Sequence, residues 1–230
     1  MKKTLVLGFF AGLAGALLPG PASAVVVDFT GGTITFLNGT TQITQNSGYW
    51  ENVDYYEQGG FRLDFKPNSG SGGFSTEVGD YYGAGNDVIH AHWSTGDYGG
   101  VTSIEITKVG GGTFDLNYFI LTSNTATGGS AASGLERAWL KALDGAGVQI
   151  GAAVLLPPED WGFPATQIFL GSQFNAVTTA VFYVENAVDC FGMDEFYIDE
   201  PAPPPVPEGG STLSLLALAL AGLALRFRRH

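Results

Sequence analysis

Apolar and polar residues alternate in short runs through the middle of the chain, and glycine-rich clusters separate the runs. Between Gly60 and Lys66, Phe61, Leu63 and Phe65 alternate with Arg62, Asp64 and Lys66, a period of two with one wet face. Between Val101 and Val109, Thr102, Ile104, Ile106 and Lys108 alternate with Val101, Ser103, Glu105 and Thr107. Val25–Phe29 and Thr33–Phe36 are β-branched runs joined across Gly31-Gly32, and Thr113–Thr122 follows Gly110-Gly111-Gly112. Val177–Val184 and Phe191–Ile198 add two further runs rich in strand formers. Turn clusters recur at 68–73, 95–100 and 127–134. Many short strands punctuated by glycine predict an all-β domain, a β-sandwich or jelly roll, over residues 25–200.

One segment carries two periods. Leu135, Trp139, Leu140 and Leu143 have helical spacing, but Asp144-Gly145 with Gly147 is a hairpin signal. The turn chemistry decides for two strands, Arg137–Leu143 and Val148–Leu155.

The ends of the chain break this pattern. Lys2 and Lys3 precede an apolar stretch from Leu5 to Leu18, then Pro19-Gly20-Pro21, then Ala22-Ser23-Ala24. A basic start, an apolar run and small residues at Ala22 and Ala24 predict a signal peptide over 1–24, cleaved after Ala24 and routed through the Sec export machinery. At the other end, residues 201–207 are a proline-dense spacer, favouring extended polyproline II. Leu213–Leu225 is then an apolar helix candidate, closed by Arg226, Arg228 and Arg229. The stretch is thirteen residues long, and seventeen counted from Gly209 lie near the lower limit for a membrane span. The basic end predicts a cytoplasmic terminus, with the domain outside.

Val206-Pro207-Glu208-Gly209-Gly210, the apolar helix and the terminal arginines together resemble the PEP-CTERM sorting signal, over residues 206–230. Gly209 stands where the name-giving motif has its second proline. The resemblance implies processing by exosortase near Pro207-Glu208, transient anchoring in the inner membrane, and release to the outer envelope, cell surface or extracellular matrix. Asp28-Phe29, Gly112-Thr113-Phe114-Asp115-Leu116 and Phe191-Gly192-Met193-Asp194-Glu195-Phe196 look like the β-sandwich ectodomains of PEP-CTERM proteins, which are similar to galactose-binding-like carbohydrate modules. That likeness implies a structural calcium between the first and last strands, on Asp28 and Asp194, as the one cofactor expected.

Charge narrows the partners. From Val25 to Val206 there are 21 acidic against five basic side chains, a balance of −16. Such a surface repels polyanions, so nucleic acid is excluded as a partner. A single cysteine, Cys190, excludes a disulfide framework, and the apolar Val188, Phe191 and Met193 around it predict burial.

Three groups of side chains carry candidate chemistry. His90 and His92, two apart in a strand, face one side and would need a third ligand such as Asp87 or Asp97 to hold a metal. Tyr49, Trp50, Tyr55, Tyr56, Tyr81, Tyr82, Trp93, Tyr98 and Trp161 lie among polar residues, as sugar-stacking aromatics do. Trp93, Asp97 and Tyr98, in a loop with Gly96, Gly99 and Gly100, are the expected contacts to an extracellular polysaccharide. The acidic pairs Asp194-Glu195 and Asp199-Glu200 point to opposite strand faces, and no nucleophile elbow, zinc-protease motif or P-loop occurs. The sequence therefore predicts no enzyme, but an exported carbohydrate-binding-like module. The alternatives are a glycan-degrading enzyme on a jelly roll and a purely structural envelope component.

Overall fold

A computed structural model describes residues 24–67, 75–83, 85–95 and 99–205. In chain order the strands are β1 (Val25–Val27), β2 (Thr33–Phe36), β3 (Thr41–Ile43), β4 (Tyr49–Glu51) and β5 (Val53–Gln58). They continue with β6 (Phe61–Pro67), β7 (Thr76–Gly79), β8 (Val88–His92), β9 (Val101–Lys108) and β10 (Leu116–Thr125). The last are β11 (Arg137–Leu143), β12 (Gln149–Leu155), β13 (Thr166–Phe169), β14 (Thr179–Asn186) and β15 (Cys190–Ile198). A single 3-10 turn, Ser172–Phe174, is the only helical element among the described residues.

The strands form two antiparallel sheets, so the fold is a β-sandwich. The eight-stranded sheet runs β12-β11-β14-β9-β6-β5-β2-β3. The seven-stranded sheet runs β13-β10-β15-β8-β7-β4, and β1 joins it beside β15. β8 pairs with Cys190–Met193 of β15 and β1 with Phe196–Ile198, so the two short strands follow one another along the same partner.

Alternation sets the core. In β6, Phe61, Leu63 and Phe65 are buried while Arg62, Asp64 and Lys66 are half-exposed. In β9, Ile104 and Ile106 point inward from the other side of the β6 pairing. Phe182 of the eight-stranded sheet meets Phe119, Phe191 and Phe196 of the seven-stranded sheet at ring distances of 5.2, 5.9 and 6.1 Å. All four rings are among the largest fully buried side chains of the sandwich.

The ambiguous segment is a strand pair. Ala138, Leu140 and Ala142 are buried and their neighbours half-exposed, a period of two. Trp139 faces outward and donates its Nε1–H to Glu185 at 3.0 Å. The helical spacing thus mixes the two faces of the strand: Leu140 points inward, while Trp139 and Leu143 are on the outer side. Asp144 Oδ1 accepts from the amides of Ala146 and Val148, both at 2.9 Å, and Gly147 supplies the left-handed φ of 76° that closes the turn.

Among the described residues no helix is long and apolar enough to cross a membrane. Residues 1–23 and the Val206–Gly210 motif with its apolar 213–225 stretch lie outside the described residues.

Candidate functional site

A group of titratable side chains gathers on the outer face of the seven-stranded sheet. Antiparallel pairing places Glu77 of β7 opposite His90 of β8, and His92 of β8 opposite Cys190 of β15. Ile89, Ala91, Phe191 and Met193 take the inward positions. Glu77, His90, His92 and Cys190 therefore point away from the sandwich core. They are nevertheless covered: Glu77, His90 and Cys190 are buried, and His92 is half-buried.

The cover is a roof of two loops. Tyr81 stacks on the His90 imidazole at 3.9 Å, and Tyr82 meets Trp161 edge-on at 4.8 Å and Phe163 at 5.8 Å. The Tyr82 hydroxyl donates to Ser123 Oγ at 2.9 Å and lies 3.1 Å from Thr122 Oγ1. Gly192, opposite His90 in β15, leaves the room for this: a Cβ there would collide with the Tyr82 and Thr122 oxygens. The second loop is pinned by backbone bonds from Trp161 N to Ser130 O and from Gly162 N to Thr122 O, at 3.2 and 2.9 Å.

Under the roof the polar groups form one chain. Glu77 Oε2 lies 3.2 Å from His90 Nδ1, and Oε1 lies 4.0 Å from His92 Nε2 while accepting from the Ser75 hydroxyl. Tyr81 Oη is 3.3 Å from His92 Nε2. On its other side, His92 Nδ1 lies 3.4 Å from Asp189 Oδ1 and 3.7 Å from Cys190 Sγ. Burial pushes the His90 pKa down, against the Glu77 carboxyl. Burial also pulls on His92, but hydrogen bonding to Asp189 and Cys190, with the Cys190 and Glu77 charges, outweighs it and holds this imidazole at about 10. The Tyr81 and Tyr82 hydroxyls are pushed up, chiefly by burial, and stay protonated at neutral pH.

The expected third ligand differs from the one found. Asp87 is turned elsewhere, accepting from Thr30 Oγ1 at 2.7 Å and from the Ser47 amide at 3.1 Å. Glu77 takes its place beside the two histidines. Cys190 is buried as expected, but on the polar face, since its apolar neighbours Phe191 and Met193 alternate to the other side.

Trp93 is not a ligand contact. It is fully buried in the inner core, 5.5 Å from Phe191, so it has no free face to stack on a sugar. Asp97 and Tyr98 lie outside the described residues. Asp28 follows β1 and Asp194 lies within β15, close enough that the Asp28 charge disfavours ionisation of Asp194. Asn86 Nδ2 donates to Asp194 Oδ2, and Gln58 Nε2 to Asp28 Oδ1, both at 2.6 Å. Among the described residues these two carboxyls join no group of three or more His, Cys, Asp or Glu ligands. Asp194 is buried, and desolvation raises its pKa to about 7.

Two shallow grooves open beside the roof. One, of about 510 Å³, runs between Ser130, Glu159, Asp160, Trp161, Phe163 and Thr166. The other, of about 640 Å³, is lined by Ile120, Phe163, Thr166, Gln167, Phe169 and Pro205. They share Phe163, Ala165 and Thr166 and follow the free edge of β13. Phe163 and Phe169 are exposed at 40% and 44%. No sequence signal pointed to these two rings; they lie in runs too short to show a period.

No protein-family model and no curated protein matches the chain. Among solved structures it is similar to the CBM22-1 xylan-binding domain from Paenibacillus barcinonensis Xyn10C, at 16% identity and a TM-score of 0.22, over 74% of this chain and 94% of that one.

Proposed function

We propose that this protein is an exported β-sandwich that binds a neutral polysaccharide along the β13 edge without cleaving it. The observation that carries the reading is the continuous pair of grooves, with Trp161, Phe163 and Phe169 as rings and Ser130, Thr166 and Gln167 as polar partners. Aromatic faces cover sugar C–H surfaces while amides and hydroxyls meet the hydroxyl groups. Open, shallow grooves suit a chain that passes through rather than a small molecule that is enclosed. The acidic balance of −16 over residues 25–206 favours a neutral glycan over a uronic or sulfated one.

The carboxyls in the groove support binding rather than hydrolysis. Glycoside cleavage needs two carboxyls on opposite sides of the bond. Glu159 and Asp160 are chain neighbours, and Asp160 Oδ1 is occupied by the Ala132 amide at 2.8 Å. The export half of the proposal rests on Ala22-Ser23-Ala24 and on Val206-Pro207-Glu208-Gly209-Gly210 with its apolar tail. In this reading exosortase is the processing partner, and the envelope or matrix is the destination.

A glycan array carrying neutral and acidic polysaccharides tests the ligand class. Neutral chains should retain the protein and anionic ones should not. Retention by acidic chains alone, or by none, overturns the reading. Intact mass of protein recovered from the native envelope tests export: the expected chain begins at Val25 and ends near Val206–Glu208.

A further inference from the structure

We infer that Glu77, His90 and His92 form a site for one divalent cation of the zinc class beneath the Tyr81–Tyr82 roof. Each of the three side chains offers a ligand atom, and these atoms all lie within 4.8 Å of one another. Tetrahedral zinc, with bonds of ~2.0–2.1 Å to nitrogen and oxygen, spaces its ligands about 3.4 Å apart. Closing the three onto an ion therefore takes only small side-chain rotations. Two imidazoles and a carboxylate suit zinc, and not calcium or magnesium, which take oxygen ligands. The site is distinct from the polysaccharide grooves and does not depend on them.

Placement alone does not make a metal site, but two further observations point to one. His90 is fully buried, and its Nε2 has no hydrogen-bond partner. A buried polar atom without a partner is costly and calls for an explanation. The second is Asp189, whose Oδ1 lies 3.4 Å from Nδ1 of His92, on the far side of the ring from Glu77. A carboxylate facing the far nitrogen of an imidazole is the arrangement found behind metal-bound histidines.

A proton is the competing occupant. With His92 as an imidazolium, Glu77 and Asp189 both have a counter-charge, and no ion is needed between them. In that alternative His90 keeps only the contact of its Nδ1 with Glu77 Oε2, at 3.2 Å. It leaves His90 Nε2 unpaired. A cation drawing on all three side chains uses both imidazoles as ligands. Tyr81 Oη, 3.3 Å from His92 Nε2, stands beside the fourth position, which it or a water molecule fills.

A second triad, His92, Asp189 and Cys190, shares the same imidazole through its other nitrogen. It is the rival metal position, and thiolate ligation distinguishes it. The test uses the purified full chain, stripped with chelator and dialysed against zinc, with bound metal counted by elemental analysis. One zinc per chain is expected. His90→Gln and His92→Gln should each lose it. Asp189→Asn, which keeps all three ligands, should weaken binding about 10–100-fold. Cys190→Ser should bind as the parent does. Cobalt in place of zinc should give tetrahedral visible bands without a thiolate charge-transfer band. Absence of stoichiometric zinc in the wild type overturns the proposal. So does binding that survives both glutamine variants, or a thiolate band lost in Cys190→Ser, which moves the ion to the rival triad.

Discussion

Around β7, β8 and β15 the seven-stranded sheet buries both of its faces, and the two are built from opposite chemistry. On the inner face, Ile89, Ala91, Phe191 and Met193 pack into the sandwich core. One residue along in each case, His90, His92, Cys190 and Gly192 form the outer face, which the tyrosine loop and the Trp161 segment cover. The inner face is held by apolar area, whose contribution follows from size alone. The outer face is held by directed contacts, in which each polar group depends on the placement of the next. Truncation should therefore cost stability on the inner face and alter specific properties on the outer one.

The largest effect is expected in the aromatic bridge. Phe182→Ala should destabilise the fold by ~3–5 kcal/mol, because the rings of Phe119, Phe191 and Phe196 cannot fill the space left. Trp93→Ala belongs to the same class, with a loss of ~3–5 kcal/mol read from denaturant unfolding. A small effect of Trp93→Ala would return that ring to the surface. At the boundary between the faces, Gly192→Ala should cost ~1–3 kcal/mol by driving the Tyr82 hydroxyl off Ser123. Its near-ultraviolet circular dichroism should change, since Tyr82 and Trp161 are in edge contact.

A pH experiment isolates one buried polar group. Asp194 has a folded pKa of about 7 against an ordinary value of 3.8, through desolvation first. A raised folded pKa means that the stabilising, protonated form is fully present below about pH 4. Its contribution is lost as pH rises through about 7. The melting temperature should fall across that window in the wild type, and Asp194→Asn should flatten the slope. If calcium joins Asp28 and Asp194, adding it at pH 8 should restore the lost stability, and chelator should remove it again. Identical curves with calcium and chelator remove the ion from this end of the sandwich.

The inner face was legible in the sequence and the outer face was not, for a physical reason. Alternation within a single strand reveals which side is apolar, so Phe61–Lys66 and Val101–Lys108 declared half-buried strands by themselves. The shared direction of His90 and His92 is likewise a local property, visible from their spacing. Their partners are not local. Cys190 is 98 residues from His92, and only the β8–β15 register joins them. Glu77 is separated from His90 by 13 residues, but the loop between them gives no cue to the register. The neighbours of Cys190 read as apolar because they are, on the side of the strand that Cys190 does not share. Trp93 misled for the opposite reason: its glycine-rich surroundings suggest a loop, but the ring turns inward as β8 ends.

The smallest expected effect on stability belongs to the β13 edge, and there the functional consequence is greatest. Phe163 and Phe169 are already exposed, so removing them should leave the melting temperature close to that of the wild type. Isothermal titration of a neutral polysaccharide against wild type and the Phe163→Ala, Phe169→Ala double variant tests the groove most directly. Each ring covered by sugar should contribute on the order of 1–2 kcal/mol, from ~25 cal/mol per Å² of apolar surface. The double variant should then bind at least tenfold more weakly while melting as the wild type does. Equal affinity in the two proteins, with both folded, would contradict the assignment of the β13 edge as the polysaccharide face.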